Sequence, residues 1–410
     1  MASKAFAFGF AALGVALLFA CSSQPQPTEK STAPTPENPV LAKALPTGHR
    51  VGPSASVDGA VIYAVLAPGA ASETEFLTLD EAMAAKVCTV REVGARVETQ
   101  PAACEGEASA QQDNSNDEVS GDVNSLLISN TGSKSIFCMA GDLVLGGKQD
   151  RILAESLVVA PQTKDMKIPV FCVEHGRWTT QAKDGAEAGN GYFTNTKDCG
   201  QVDLNVKKAA MEGREQGKVW EEVARNNDKL GVQGKAESGT FRSTFDDEGV
   251  NQKIEKNFLA AQKLLGRDVV GFAVMVKGEL VAMDLFESSG LCQKLSDKLL
   301  RSYVITGIGG GYESNDTLDK QLLPGSGRDQ IEEQTRELES ETQGDSSLRV
   351  QTGNTQRLNR ARPTQPAMGD VNTNPNDNTS NTRVYEKDAM KYDCKDNKSG
   401  KFVQRSYMKR

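Results

Sequence analysis

Closely spaced strands are the feature that most restricts how this chain can fold. Five short runs with strand character follow one another: Ser125–Ser129, Ser135–Met139, Asp142–Leu145, Ile152–Val159 and Lys167–Val173. Turn residues separate them, and none of the gaps is long enough for a helical crossover, which takes about a dozen residues. Strands this close together must therefore pair in antiparallel fashion. The pattern predicts a sandwich or a curled antiparallel sheet.

Amphipathic helices accompany these strands. Thr78–Lys86 is predicted to be a short helix, because Thr78 followed three residues later by Glu81 forms a capping-box pattern. Apolar residues at helical spacing predict three longer helices, over Lys218–Leu230, Asn251–Leu265 and Leu291–Tyr303. Further strands are predicted at Val61–Pro68, Val87–Val93, Val269–Lys277, Leu280–Phe286, Arg383–Glu386 and Lys401–Ser406. The expected fold class is a single α+β domain with an antiparallel, sandwich-like half and packed amphipathic helices.

Two polar stretches account for the low apolar fraction of 38%. Residues 105–123 carry six acids and no Lys, Arg or aromatic residue, and residues 313–381 contain no aromatic residue at all. Such segments bury too little apolar surface to fold alone, so both are predicted to be disordered. Gly307–Gly311 is expected to act as a hinge into the second one. The folded domain then spans 41–312, and residues 382–410 return to it as strands.

The N-terminus resembles that of an exported lipoprotein. Lys4 precedes an apolar run over residues 5–20, which is short for a membrane-spanning helix of about 20 residues and fits a secretory signal peptide. Leu18–Cys21 resembles the lipobox of bacterial lipoproteins, in which the cysteine becomes the lipid-modified N-terminus. We therefore expect a signal peptide over 1–20, a lipidated Cys21 and a Pro/Ser/Thr-rich tether over 21–40. The alternatives are an ordinary signal peptide with an incidental cysteine and a buried apolar segment.

This N-terminus also predicts a location. In Gram-negative lipoproteins a residue other than Asp after the lipidated cysteine usually accompanies outer-membrane sorting, and Ser22 stands there. The expected location is the bacterial cell envelope, with a lipid anchor in the outer membrane. Disulfides can form outside the cytoplasm, and Cys88 with Cys104 is the predicted pair because the two bracket a short segment. Cys138 and Cys172 sit in strand-like runs and are expected to be buried thiols.

Charge and histidine content exclude several kinds of protein. A net charge of −8 argues against a basic nucleic-acid binder. Two histidines and the absence of any metal-binding motif in the sequence argue against a metal site. We expect no cofactor and no nucleic-acid partner. The expected partners are the membrane, through the lipid anchor, and either an envelope protein or a small anionic ligand.

A glycine-rich segment in the middle of the chain could be a turn or a binding loop. Gly146-Gly147-Lys148 is not a phosphate loop, since Asp142 occupies the first glycine position and Gln149 replaces the Ser or Thr that would bind magnesium. A hairpin turn that needs positive φ is the simpler interpretation. The alternative is a ligand-facing loop, in which Lys148, Gln149, Asp150 and Arg151 offer donors and an acceptor side by side.

A second polar group ends the strand that follows. Glu174, His175, Arg177 and Trp178 place an acid, an imidazole, a guanidinium and an indole together. Arg can hold an anion with its planar fork and Trp can stack on a flat ligand. In a purely structural alternative, Glu174 pairs with Arg151 or Arg177 and Trp178 packs over the sheet. No motif ties a Ser or Cys nucleophile to His175, so no catalytic residue is predicted.

Several of these segments also carry a resemblance. Gly141–Arg151, Ile168–Trp178, Gly271–Asp284 and Lys298–Tyr303 together resemble a domain family named for its association with ADP-ribosylglycohydrolases and rhodanese-phosphatases. The resemblance covers residues 55–305, and Phe402–Tyr407 matches the last strand. His175 stands where the family pattern has Gln. The resemblance implies a fold and an association rather than a reaction.

These observations leave three hypotheses for function. The leading one is a non-enzymatic, lipid-anchored module that binds a ligand or a protein through the Lys148–Arg151 loop and the Glu174–Trp178 strand end. The second is an enzyme or sensor for an ADP-ribose-like or other phosphorylated ligand. The third is a structural envelope protein. Convergence of the candidate residues on a pocket would favour a ligand, whereas mutual pairing would favour a structural role.

Overall fold

A computed structural model describes residues 38–95, 124–176, 191–194, 200–212, 215–232, 239–312, 370–373, 379–386 and 388–410. All of these lie in one compact unit, Pro36–Arg410. The signal peptide, Cys21, most of the tether, the acidic segment 105–123, Cys104, Arg177 and Trp178 lie outside the described residues, as does most of the segment 313–381. The predictions made for them stay predictions.

Strands dominate the domain. In chain order they are β1 (Arg50–Val57), β2 (Ala60–Leu66), β3 (Leu77–Thr78), β4 (Cys88–Glu92), β5 (Ser125–Asn130), β6 (Ile136–Cys138), β7 (Leu143–Gly146), β8 (Arg151–Leu153), β9 (Leu157–Val159), β10 (Thr163–Cys172), β11 (Phe193–Thr194), β12 (Val269–Val276), β13 (Glu279–Phe286), β14 (Asp370–Thr373), β15 (Thr379–Tyr385), β16 (Ala389–Asp396) and β17 (Phe402–Lys409). The helices are α1 (Pro39–Ala44), α2 (Leu79–Ala84), α3 (Leu204–Glu212), α4 (Gln216–Lys229), α5 (Ser243–Asp246), α6 (Glu248–Gln262) and α7 (Ser289–Ile308).

Most strands belong to two antiparallel sheets. An eight-stranded sheet has the order β1-β2-β12-β13-β17-β16-β15-β14, and a six-stranded sheet has the order β11-β7-β8-β10-β5-β4. A small third sheet, β3-β6-β9, contains one parallel pair, β3 with β6. The predicted hairpin formed by β12 and β13 is confirmed. The predicted α+β class with antiparallel, sheet-rich architecture is confirmed as well.

One predicted strand is wrong in its extent. Ile152–Val159 was expected to be continuous, but it divides into β8 and β9, which belong to different sheets. Glu155 and Ser156 separate them, and both side chains are buried against strands from the C-terminal part of the chain. The chain bends here because these polar groups find their partners outside the six-stranded sheet. Sequence spacing could not show those partners.

The predicted helices are confirmed, with one boundary corrected. The capping box of α2 is present, with both the Thr78 and the Glu81 hydrogen bonds formed. Helix α7 continues to Ile308 and is capped at Gly309, so Gly307–Gly311 forms a helix end rather than a hinge. Arg301 therefore lies inside the helix, where it pairs with Glu255 of α6. Helix α3 was missed because its buried face includes two lysines.

Hydrophobic clusters pack on both faces of the eight-stranded sheet. Successive strand residues point to opposite faces, and Phe272 and Ala273 of β12 belong to different hydrophobic clusters. Phe272 packs in the largest cluster, with Leu295 and Tyr303 of α7. Ala273 lies in a smaller cluster with Leu41 of α1. No helix in the described part of the chain is long and apolar enough to span a membrane.

Candidate functional site

The glycine-rich segment forms a tight turn between β7 and β8. The two strands pair in antiparallel register, with Val144 opposite Arg151. Gly146 and Gly147 have φ angles of 125° and 53°, which confirms the predicted turn with positive φ. A Cβ atom on Gly147 would lie 2.5 Å from the ring of Phe193 and 2.6 Å from Glu92 Oε1. Glycine is required at this position for both reasons.

The turn and the end of β10 come together. The Asp150 amide donates to Glu174 Oε2 at 3.1 Å, and the Val173 amide donates to the Asp150 carbonyl at 3.0 Å. Gln149 Nε2 donates to the carbonyl of His175 at 3.3 Å. Two segments that the sequence singled out separately are thus joined by backbone and side-chain hydrogen bonds. Gln149, Asp150 and Glu174 are all buried.

Arg151 is enclosed by this arrangement, with only 1% of its surface exposed. Its Nη1 donates to the carbonyl and to Oε1 of Gln149, at 3.2 Å and 3.1 Å. Its ion-pair partner is Glu92 of β4, with 3.8 Å between Nη2 and Oε1. Nε of Arg151 is buried and has no hydrogen-bond partner among the described residues. Sequence reasoning missed Glu92, because β4 comes near this turn only where the two edges of the six-stranded sheet meet, through the Arg91–Tyr192 bridge.

A partly open rim surrounds the buried residues. Lys148 is exposed, and His175 and Trp220 of α4 are half-buried. The His175 ring meets Trp220 edge to face, with ring centroids 4.5 Å apart. Burial lowers the pKa of His175, which favours the neutral imidazole. We refer to Lys148, His175 and Trp220 as the Lys148 surface.

A second ionic cluster lies where β7 begins. Lys298 Nζ of α7 is 2.9 Å from Asp142 Oδ2 and 3.0 Å from Asp80 Oδ2. Burial raises the pKa of Asp142 to about 6, and the nearby Lys298 opposes the shift. Burial also opposes the charge of Lys298, but the two carboxylates outweigh it and raise the pKa of this lysine. Asp142 is thus part of a buried ion pair with Lys298 rather than part of a phosphate loop.

A third ionic cluster lies at the centre of the eight-stranded sheet. Asp284 Oδ2 is 3.4 Å from Lys207 Nζ of α3 and accepts a hydrogen bond of 2.6 Å from Tyr303 of α7. Gln404 and Ser406 of β17 donate to the other carboxylate oxygen. Burial raises the pKa of Tyr303, so the phenol remains a donor. The sequence signal was a single acid within the apolar run Leu280–Phe286.

Polar contacts also tie the C-terminal strands to the domain. Arg383 of β15 pairs with Glu155 at 2.6 Å, and Asn381 donates to the same carboxylate. Tyr392 of β16 donates to the Ser156 carbonyl at 3.0 Å. Strands β14 and β15 both begin before residue 382, inside the segment predicted to be disordered. The polar composition of β15 conceals the strand because the side chains of Thr379, Asn381 and Arg383 are buried through hydrogen bonds rather than apolar contacts.

The described cysteines are buried thiols. Cys138 and Cys172 are buried and free, as predicted from their strand context. Cys88 is also a buried free thiol, and burial raises its pKa to about 12. Its pairing with Cys104 stays a prediction, since Cys104 lies outside the described residues.

Together these observations define a sheet-rich α+β domain with buried ionic clusters and a rigid polar turn at its surface. Family comparison agrees with the resemblance noted from the sequence. The model of the ARPP-1 family, the ARG and Rhodanese-Phosphatase-superfamily-associated Protein domain, matches residues 48–372, and the chain belongs to this family. No curated protein and no solved structure matches the chain.

Proposed function

We propose that this chain is a lipid-anchored protein of the bacterial cell envelope and that its ARPP-1 domain is a non-enzymatic interaction module. The proposed contact site is the Lys148 surface. One observation carries this proposal: the turn at Gly146–Arg151 and the end of β10 are joined into a single rigid unit by the 3.1 Å bond from the Asp150 amide to Glu174. An exposed lysine and a half-buried aromatic pair border that unit.

Rigidity supports a role in recognition. The Lys148 amide donates to Glu92 Oε1 at 3.1 Å, and the Gly146 amide donates to Asp150 Oδ1 at 3.0 Å. These bonds hold the turn in one conformation while the Lys148 side chain stays exposed. A preorganised loop loses less conformational entropy when it binds than a flexible loop does. The turn is therefore suited to docking a partner without rearrangement.

The hydrogen bonds made by the candidate residues favour a protein over a small anion as the ligand of this surface. Gln149, Asp150, Arg151 and Glu174 are buried and bonded to their neighbours. These hydrogen bonds serve the turn itself. The Lys148 surface instead offers the half-buried ring of Trp220, and aromatic residues are enriched at protein interfaces. We therefore place an envelope protein before a small ligand as the partner.

Site-specific photo-crosslinking in cells tests the contact surface. A photoreactive amino acid at position 148 should trap a discrete heavier species on illumination. The same amino acid at Lys256, which is exposed on α6, serves as the control and should give no such species. Equal labelling at the two positions, or no product at position 148, would contradict the proposed surface.

The lipid anchor has a separate test. Cys21→Ala should move the protein from the membrane fraction to the soluble fraction, since a protein without its acyl chains loses stable attachment. Membrane retention of this variant would contradict the anchor. That result would leave the crosslinking test of the module unaffected.

The description of the family favours a second candidate, an enzyme or sensor for an ADP-ribose-like ligand. A thermal-shift measurement with ADP-ribose and with sugar phosphates decides between the two. A ligand present at 100 times its dissociation constant adds about 2.7 kcal/mol to the free energy of unfolding. A clear rise in Tm would favour the second candidate, and no rise with any of these compounds would rule it out.

A further inference from the structure

A groove that the sequence did not reveal opens where β13 ends and β17 begins. It has a volume of about 460 Å³, within the range of roughly 300–1,000 Å³ typical of small-molecule sites. The loops after α1 and β2 border it through His49 and Ala70, and Phe286 and Phe402 line it from the sheet. We call it the Phe402 groove.

The groove lies on the face of the eight-stranded sheet that α1 covers. Arg405 stands opposite Leu285 across the β13–β17 pair, and both residues line the groove. Directly opposed residues of antiparallel strands share a face of the sheet. Leu285 belongs to the hydrophobic cluster that includes Leu41 of α1. The groove therefore lies next to this hydrophobic cluster and is open to solvent.

The floor and the rim of the groove differ in chemistry. Ala67, Ala71 and Val270 give the floor an apolar surface. Phe402, at the rim, is one of the few large apolar side chains that are exposed among the described residues, with 39% of its surface in contact with solvent. Covering such a ring removes apolar surface from water, which favours binding in proportion to the area covered.

Positive charge surrounds Phe402. Lys395 Nζ lies 4.5 Å from the centre of its ring, and the guanidinium of Arg405 lies 4.4 Å from it. Lys401, which also lines the groove, is exposed. Two acids near the groove are already engaged: Asp393 accepts a bond of 2.8 Å from Arg405, and Glu287 accepts one of 2.7 Å from the Thr74 hydroxyl.

This arrangement points to a specific kind of ligand. Three cations against two carboxylates leave an excess of positive charge at the rim, although the chain as a whole carries −8. We propose that the Phe402 groove binds a small organic anion with a flat apolar body. The apolar body lies on the alanine-lined floor against Phe402, and the anionic group lies at Lys401 and Arg405.

Fluorescence titration of the full chain with 1-anilinonaphthalene-8-sulfonate tests the proposal, because this probe is a monoanion with a flat naphthalene body. The wild type should show saturable binding at a single site. Phe402→Ala and Lys401→Glu should each weaken the affinity at least tenfold. Lys256→Glu makes the same charge change on α6 and should leave the affinity unchanged. Urea unfolding of each variant establishes that it is folded.

Competition separates the contribution of charge from that of apolar contact. Naphthalene-1-sulfonate should displace the probe, whereas the neutral 1-naphthalenemethanol at the same concentration should displace at least tenfold less. Equal displacement by the two compounds would overturn the role of the cations. Binding that does not saturate, or that Phe402→Ala leaves unchanged in a folded protein, would overturn the site itself.

Discussion

Two groups of charged residues in this protein have opposite surroundings. In the three buried clusters, the cations Arg151, Lys298 and Lys207 lie enclosed, each within reach of at least one carboxylate. At the rim of the Phe402 groove, Lys401 and Arg405 reach solvent. The residue types are similar, so residue type alone does not separate a structural role from a binding role. The surroundings of each charge separate the two.

The physical difference lies in desolvation. A charge that leaves water loses its hydration, and only close partners in good geometry compensate for the loss. Removing one partner inside the protein therefore leaves a costly unpaired charge. An exposed pair contributes about 0–1 kcal/mol, because water screens it and solvates either charge alone. The buried clusters should accordingly determine the free energy of unfolding, and the cations at the rim of the Phe402 groove should determine ligand affinity.

The largest expected effect is at Asp284. Asp284→Ala leaves the ammonium of Lys207 buried without its carboxylate, because both side chains are at most 2% exposed. Breaking a buried pair in this way costs about 3–5 kcal/mol, which urea unfolding at pH 7 measures. Asp393→Ala removes the acid from the partly exposed pair with Arg405 and should cost less than about 1 kcal/mol. Similar losses for the two variants would break the comparison.

The next effect concerns pH and Asp142. Its pKa of about 6 in the folded protein exceeds the value of about 3.9 for an unfolded Asp. Between these values the folded state binds more protons, so this residue makes stability fall as pH rises from 4 to 6. Two pKa units correspond to about 3 kcal/mol.

The variant Asp142→Asn isolates this contribution, since it keeps the shape of the side chain and cannot ionise. The wild type should lose about 2 kcal/mol relative to the variant between pH 4 and pH 7. Urea unfolding of both proteins at the two pH values gives the difference. A constant difference, or one that changes in the opposite direction, would show that Asp142 is not a desolvated acid.

A smaller effect is expected at the turn. Gly147→Ala forces a Cβ against Phe193 and Glu92, and moving Glu92 also disturbs its contacts with Arg151 and the Lys148 amide. Gly278 also has a positive φ but no neighbour within 4 Å, which makes Gly278→Ala the matched control. The control should cost about 1 kcal/mol, and Gly147→Ala should cost about 1–3 kcal/mol more. Thermal unfolding of both variants tests the turn, and equal losses would mean that the turn is not tightly packed.

The smallest effect on stability is expected at the groove. Lys401→Ala removes an exposed side chain, so its effect on the free energy of unfolding should stay within about 0.5 kcal/mol. The same substitution should weaken binding of the anionic probe. A loss of stability comparable to that of Asp284→Ala would place Lys401 among the structural charges instead.

Periodicity and local chemistry were enough to predict much of the fold. The strand-rich region, the capping box at Thr78, the hairpin of β12 and β13 and the turn at Gly147 all depend on residues close together in sequence. The sequence also singled out the two segments that meet at Asp150 and Glu174. Local patterns were informative wherever the interacting groups were near neighbours along the chain.

The parts that escaped prediction depend on distant partners. Glu92 meets Arg151 because the edge strand β4 pairs with the segment that leads into β11, at the other edge of the same sheet, and Lys207 of α3 reaches Asp284 of β13. The Phe402 groove arises from loops after α1 and β2 together with the start of β17. No pattern of residues close together in sequence indicates either the pairing of the buried charges or the position of the groove. Both follow from the topology.

Nuclear magnetic resonance of the isotope-labelled protein, titrated with 1-anilinonaphthalene-8-sulfonate, compares the two regions in one measurement. The central claim is that the charges around Arg151 hold the fold, whereas those around Phe402 receive a ligand. The amide signals of Ala71, Phe286 and Phe402 should shift with probe concentration, and those of Gly147 and Lys148 should stay in place. Shifts centred on Gly147 and Lys148, with the groove unaffected, would contradict the account.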